Sequence, residues 1–137
     1  MLYTQLIYGT MIITAVVIFH VASLVFLARL LKRWHDNYSL FDNVKVAAVG
    51  LGTSVFFIIG INTIEAWFWA YIYLLLGEFK TINDAIYFSI STATTVGYGD
   101  VVMSEQWRLL SSFEAMWWWL LFGPSTVFFN GINALCL

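Results

Sequence analysis

Thr95-Val96-Gly97-Tyr98-Gly99-Asp100 is a run whose main chain, more than its side chains, could bind an ion. Its glycines can take backbone angles closed to other residues, so consecutive carbonyls can all face one axis. Four such strands around that axis would present rings of carbonyl oxygens able to replace the water around a dehydrated K⁺. Thr95 can add its hydroxyl at the inner end, which makes Thr95, Val96, Gly97 and Tyr98 the candidate ligands. The Val96 and Tyr98 side chains must then point outward, where the Tyr98 ring and hydroxyl can brace the strand. Asp100, just beyond Gly99, would concentrate cations at an outer mouth by simple attraction. Hydrogen bonding from Asp100 to the preceding helix is a compatible second role. Gly and Thr also share ordinary turns, but Ser91-Thr92-Ala93-Thr94 and a membrane setting argue against that reading here.

Such a run works only if other elements hold it inside a membrane. The chain has 137 residues, 61% hydrophobic and 10% charged. A soluble globular domain carries roughly 25% charged residues. The composition therefore predicts an integral, all-α membrane protein, and the many aromatic residues suit interfacial and lipid-facing surface. No basic cluster suggests nucleic acid. Cys136 is the only cysteine, so no disulfide can form within the chain.

Three apolar segments stand out. The first runs from about Leu6 to Leu31, long enough to cross a hydrocarbon core that needs roughly 20 residues. No residue before Arg29 is charged, so the basic start of a secretory signal is lacking and the segment reads as a retained span. His20 inside it reads as packed or hydrogen-bonded rather than as a ligand. A polar link, Trp34 to Asn43, follows, and residues 1–43 form an N-terminal helix plus link. The second segment, the outer helix over 44–76, would measure roughly 50 Å and must tilt or emerge. Gly50, Gly52 and Gly60, with Ala48, offer small surfaces for close helix packing. A short turret, Gly77 to Lys80, leads to Thr81-Ile82-Asn83-Asp84, a hydroxyl cap with an acid three residues on. The helix it opens, over 82–94, is too short to cross and must be re-entrant, which is tolerated only when buried in protein or lining water. Its C-terminus would add negative potential where ions sit. The inner helix is expected over 105–135, so that 44–137 form a pore domain of helix, pore helix, filter (95–99) and helix.

Arg29, Lys32, Arg33 and Lys45, of the six basic residues, flank the first link. By the positive-inside rule that link is cytoplasmic. The N-terminus and the Thr95–Asp100 loop are then external and the C-terminus internal, in the plasma (cell inner) membrane.

The TVGYGD run resembles the selectivity filter of the potassium-channel superfamily. Glu65-Ala66-Trp67, Ala85-Ile86-Tyr87-Phe88-Ser89, Trp107-Arg108-Leu109-Leu110, Glu114-Ala115 and Phe122-Gly123 resemble the small prokaryotic ion-channel proteins with one extra helix before the pore unit. The resemblance covers about Val44 to Leu135. It implies three transmembrane helices and a re-entrant pore helix assembled as a homotetramer in lipid, with potassium ions as permeant partner and no cofactor. Two departures stand out. Relatives commonly place a hinge glycine where this chain has Trp118, inside Trp117-Trp118-Trp119. Some also carry a glutamate at the place of Ser91, so the filter here is expected to be held differently.

Gly123-Pro124 offers another hinge, because proline lacks an amide hydrogen and clashes with the carbonyl of Leu120; a static bend is the other reading. Leu120, Pro124, Val127, Gly131 and Leu135 share one helical stripe. They are gate and cavity candidates, unless the stripe packs on a neighbouring helix. Trp118 points away from that stripe, toward lipid or the second segment. Glu114 lies deep in the inner helix, where an unpaired carboxylate is costly and function is the default suspicion. It is expected to brace the pore helix through a hydroxyl such as Ser91 or Thr92, or to be a purely structural acid. Glu65, near the aromatic belt and able to reach water, reads as structural.

The pattern thus predicts a potassium-selective channel passing ions passively. The alternative is a non-conducting or accessory subunit of another channel, suggested by the bulky tryptophans and the missing hinge. An enzyme using Glu65 and Glu114 lacks any nucleophile–base pair, metal-ligand cluster or phosphate loop.

Overall fold

The computed structural model describes residues 2–38 and 44–119, and all regular structure among them is helical. Helices α1 (Leu2–Tyr38) and α2 (Val44–Leu75) contain windows, Tyr3–Trp34 and Ala48–Leu75, long and apolar enough to cross a membrane. Helix α1 runs on past Leu31, where the apolar stretch ends. Lys32 to Tyr38 hold neither proline nor glycine, so the helix outlasts its hydrophobic part.

Helix α2 stops through backbone geometry that only glycine takes easily. Gly77 sits at φ +73°, its N–H bonds to Leu74 O, and Glu78 N–H reaches back to Tyr73 O. Together these form a Schellman cap. The short α3 (Ile82–Ala93) then starts on Thr81, whose hydroxyl accepts from Asp84 N–H at 3.2 Å and donates to the Asp84 carboxylate at 2.8 Å. At 12 residues it measures about 18 Å and cannot cross a bilayer. Helix α4 begins at residue 108 after a turn at 105–107, and is helical through 119, the last described residue. Its start is set by Ser104, whose carbonyl accepts from Trp107 and Arg108 N–H. Glu78 in turn holds Ser104, accepting from its N–H at 2.7 Å and its hydroxyl at 2.8 Å. The turret acid therefore ties the end of α2 to the start of α4.

The core sits where α2, α3 and α4 meet. Trp69, Tyr73, Phe88, Met103 and Leu110 are all buried there, with Phe79 beside them. Tyr73 meets Phe88 edge to face at 5.5 Å, and Phe79 packs on Phe88 at 5.1 Å. In lipid, helices gain little from leaving an apolar solvent, so such packing and interhelical hydrogen bonds carry association.

Helix α1 docks on this unit along α4. Gln5 Nε2 donates to Gln106 O, Gly9 lies against Phe113, and Val16 packs with Trp117 and Trp118. Numbers rise together on both helices, so they run parallel, with the N-terminal end of α1 beside the start of α4. A Cβ at Gly9 would come within 2.7 Å of the Phe113 ring. At Gly52 and Gly60, by contrast, no other element among the described residues comes within 4 Å of such an atom. Among the described residues, α1 thus makes a close glycine contact with α4. Trp118 is half-buried beside the Val16–Trp117 cluster.

Candidate functional site

The Thr95–Gly99 run follows α3 as irregular, solvent-exposed backbone. Thr95, Gly97 and Gly99 have φ of +58°, +51° and +77°, while Val96 and Tyr98 between them do not. Alternating backbone hand is the condition for gathering successive N–H groups on one side of a chain. Carbonyls are left for the other side, whereas an ordinary strand points them alternately left and right. Glycine adopts these angles freely; Thr95, β-branched, does so at a cost of about 1–3 kcal/mol. Its surroundings must enforce that angle. Thr95 N–H bonds to Thr92 O at 3.0 Å and Gly97 N–H to Ser91 O at 3.2 Å. Both anchors are carbonyls at the end of α3, so the helix C-terminus dictates the path of the run.

The outer end is held by rings. Tyr98 stacks on Tyr87 of α3, with planes 10° apart and centroids 6.5 Å apart. The Tyr87 hydroxyl donates to Asp100 Oδ2 at 2.8 Å, and Asp100 Oδ1 accepts from Val101 N–H at 3.0 Å. The bond to Asp100 pushes the Tyr87 hydroxyl above its ordinary pKa range, so the contact survives at any near-neutral pH.

Behind the run lies a fully buried acid. Glu114 of α4 accepts at Oε2 from the Tyr73 hydroxyl of α2 at 2.5 Å, and its Oε1 meets Ser89 Oγ of α3. Ser89 Oγ also lies 3.0 Å from Ala66 O. A carbonyl only accepts, and Ser89 has one hydroxyl hydrogen to give. The count closes when Ser89 donates to Ala66 O and Glu114, as a neutral acid, donates to Ser89. One directional chain, Tyr73 to Glu114 to Ser89 to Ala66, then links three helices. The hydroxyl meeting Glu114 is thus Ser89's, not that of Ser91 or Thr92. Ser91 Oγ donates to Phe88 O within its own helix, and only its carbonyl serves the run.

Glu65 departs further from expectation. It is 1% exposed and cannot reach water; α1 covers it and supplies His20, whose Nδ1 lies 2.9 Å from Glu65 Oε1. Sequence reasoning weighed His20 and Glu65 separately, and nothing in either residue's neighbourhood announced the other. Glu78 and Tyr87 were also missed as site-building residues, although an acid in a turret and a tyrosine on a pore helix were visible signals. Leu120, Gly123, Pro124, Val127, Gly131 and Leu135 lie outside the described residues.

Among proteins of known type, the ion channel family model matches residues 58–132, more than half of the chain. No curated protein and no solved structure matches it.

Proposed function

This chain belongs to the ion channel family, and on that premise we propose that it forms a tetrameric, potassium-selective pore. The observation that carries the reading is the alternating backbone of Thr95–Gly99, anchored to the C-terminus of α3 and exposed along its length. One such strand makes one wall of an ion path. Four copies around an axis would close it, with the carbonyls of Thr95, Val96, Gly97 and Tyr98 and the Thr95 hydroxyl replacing the ion's hydration shell. Ala93, where α3 ends, adjoins the inner end of the run, which places the helix's negative pole there. Asp100 stands at the outer mouth, positioned by Tyr87.

The protein is read as multi-pass, with three spans and the loop after α3 facing outward. The parallel packing of α1 on α4 supports the topology, since it puts the N-terminus at the same end of the bundle as that loop. K⁺ is cargo, and the pathway is passive.

Purified protein in liposomes tests this directly. K⁺ efflux should far exceed Na⁺ efflux, the preference expected of a carbonyl-lined filter. Gly97→Ala, which puts a side chain at φ +51°, should abolish the flux while leaving the oligomer intact. Equal Na⁺ and K⁺ permeation would refute selectivity. A tetramer that passes neither ion would favour the accessory-subunit alternative.

A further inference from the structure

His20 and Glu65 take no part in the proposed ion path, yet they form a buried titratable pair where α1, α2 and α4 meet. Each is 1% exposed, and they touch through Nδ1 and Oε1 at 2.9 Å. Each also keeps a second polar atom, His20 Nε2 and Glu65 Oε2, buried without a partner among the described residues. The third element contributes Trp117 of α4, whose ring stands at 85° to the His20 ring with centroids 6.2 Å apart. His20 lies near the middle of the apolar window Tyr3–Trp34, so water does not screen the pair from the side.

The pair has three protonation states. Neutral imidazole beside carboxylate carries −1, one added proton makes the pair neutral, and two make it +1. The proton belongs to the couple rather than to either residue. Only the middle state leaves no net charge inside the bundle, and an uncompensated buried charge is strongly unfavourable. Among the described residues, the other titratable and charged groups on the packed elements stand away from the pair or are engaged elsewhere. Tyr73 of α2 and Glu114 of α4 are engaged with one another and with Ser89. Tyr71 is exposed on α2. On α1, Tyr3, Tyr8, Arg29, Lys32 and Arg33 lie more than two turns from His20 and are exposed. Arg108 and Glu105 pair at the exposed start of α4, and Lys45 is at the opposite end of α2 from the aromatic core.

We propose that the His20–Glu65 couple is a proton-operated latch between α1 and the inner helix. Holding one shared proton, it keeps α1 seated against Trp117; losing that proton, or gaining a second, during transient openings that admit water loosens α1 and shifts α4. Taken with the channel reading, on which this rests, the latch sets how far the pore opens. Its position suits that task, since Trp117 is buried against α1 and lies on the helix expected to line the pore.

The test uses the full chain in liposomes, with two readouts. K⁺ flux of the natural protein should change about tenfold or more across a pH series from about 5 to 8, the range over which histidine is the side chain that ordinarily changes charge. His20→Gln and Glu65→Gln, which keep size and hydrogen bonding, should flatten that response to less than about twofold and leave K⁺ over Na⁺ preference unchanged. Infrared difference spectra over the same interval should show a carboxyl band that disappears in Glu65→Gln. A pH response in both variants equal to that of the natural protein overturns the latch, as does a band unaffected by Glu65→Gln. A tetramer that shows the Glu65 band but passes no K⁺ at any pH overturns the channel reading, and with it control of a pore, but not the couple's titration.

Discussion

Glu114 and Glu65 are both buried acids that join helices in the same chain, and they are satisfied very differently. Glu114 has a partner on each oxygen: Tyr73 from α2 and Ser89 from α3. Glu65 has His20 on one oxygen and nothing described on the other. A polar network in a low-dielectric interior is rigid when every member is paired and vulnerable when one is not. The first acid therefore acts as a fixed brace behind the candidate filter. The second holds a pair whose balance can be changed by one proton. Stiffness near the ions and adjustability near α1 is the division of labour this contrast suggests.

The largest expected effect breaks the brace. Glu114→Leu leaves the Tyr73 and Ser89 hydroxyls without their acceptor and donor, at about 1–3 kcal/mol for each group left unpaired. Thermal unfolding of the protein should move down accordingly, and the K⁺ flux proposed for it should be lost. Glu114→Gln can still accept from Tyr73 and donate to Ser89, so its cost should stay below about 1 kcal/mol. Equal damage from Gln and Leu would show that a negative charge, not a donor, is what Ser89 needs, and the proton count given above would fail.

Much of this frame was legible in the sequence because it is local. The Thr81 cap needs only Asp84 three residues on, and the glycines of the Thr95–Gly99 run announce their backbone angles by type. What could not be read depends on how one helix is rotated against another. Ser89 and Ser91 are two residues apart, which on a helix puts them on opposite faces. Only the packed position of α4 selects Ser89 for Glu114. His20 and Glu65 are 45 residues apart, and no periodicity within α1 or α2 pairs them. Gly9 shows the same limit: nothing in its own stretch of α1 announces that Phe113 of α4 packs against it.

A middle-sized effect tests whether α1 is truly seated. Gly9→Val would drive its side chain into the Phe113 ring, and overpacking of this kind costs about 1–3 kcal/mol. Hydrogen exchange across α1 should quicken while exchange in α3 stays unchanged, since α3 is held from the other side by Tyr73 of α2 against its Phe88. Unchanged protection of α1 would mean its contact with α4 is loose, and the contrast between a fixed and an adjustable acid would lose its mechanical basis.

The smallest effect comes from a second tyrosine–carboxylate contact, this one in water. Tyr87 and Asp100 repeat the chemistry of Tyr73 and Glu114 but stand exposed at the outer mouth. Solvent can replace a lost bond there, so removing the hydroxyl should matter far less than removing the buried acid. Tyr87→Phe keeps the ring that stacks on Tyr98 and deletes only the donor to Asp100. K⁺ flux should fall by about two- to threefold, in line with one modest hydrogen bond, with selectivity retained. Raising the pH far into the alkaline range should mimic the variant, because the Tyr87 hydroxyl then ionises against Asp100 and repels it. A collapse of selectivity in Tyr87→Phe would instead mean that this exposed bond carries as much of the strand's alignment as the buried relay, and the ranking of wet against dry contacts would be reversed.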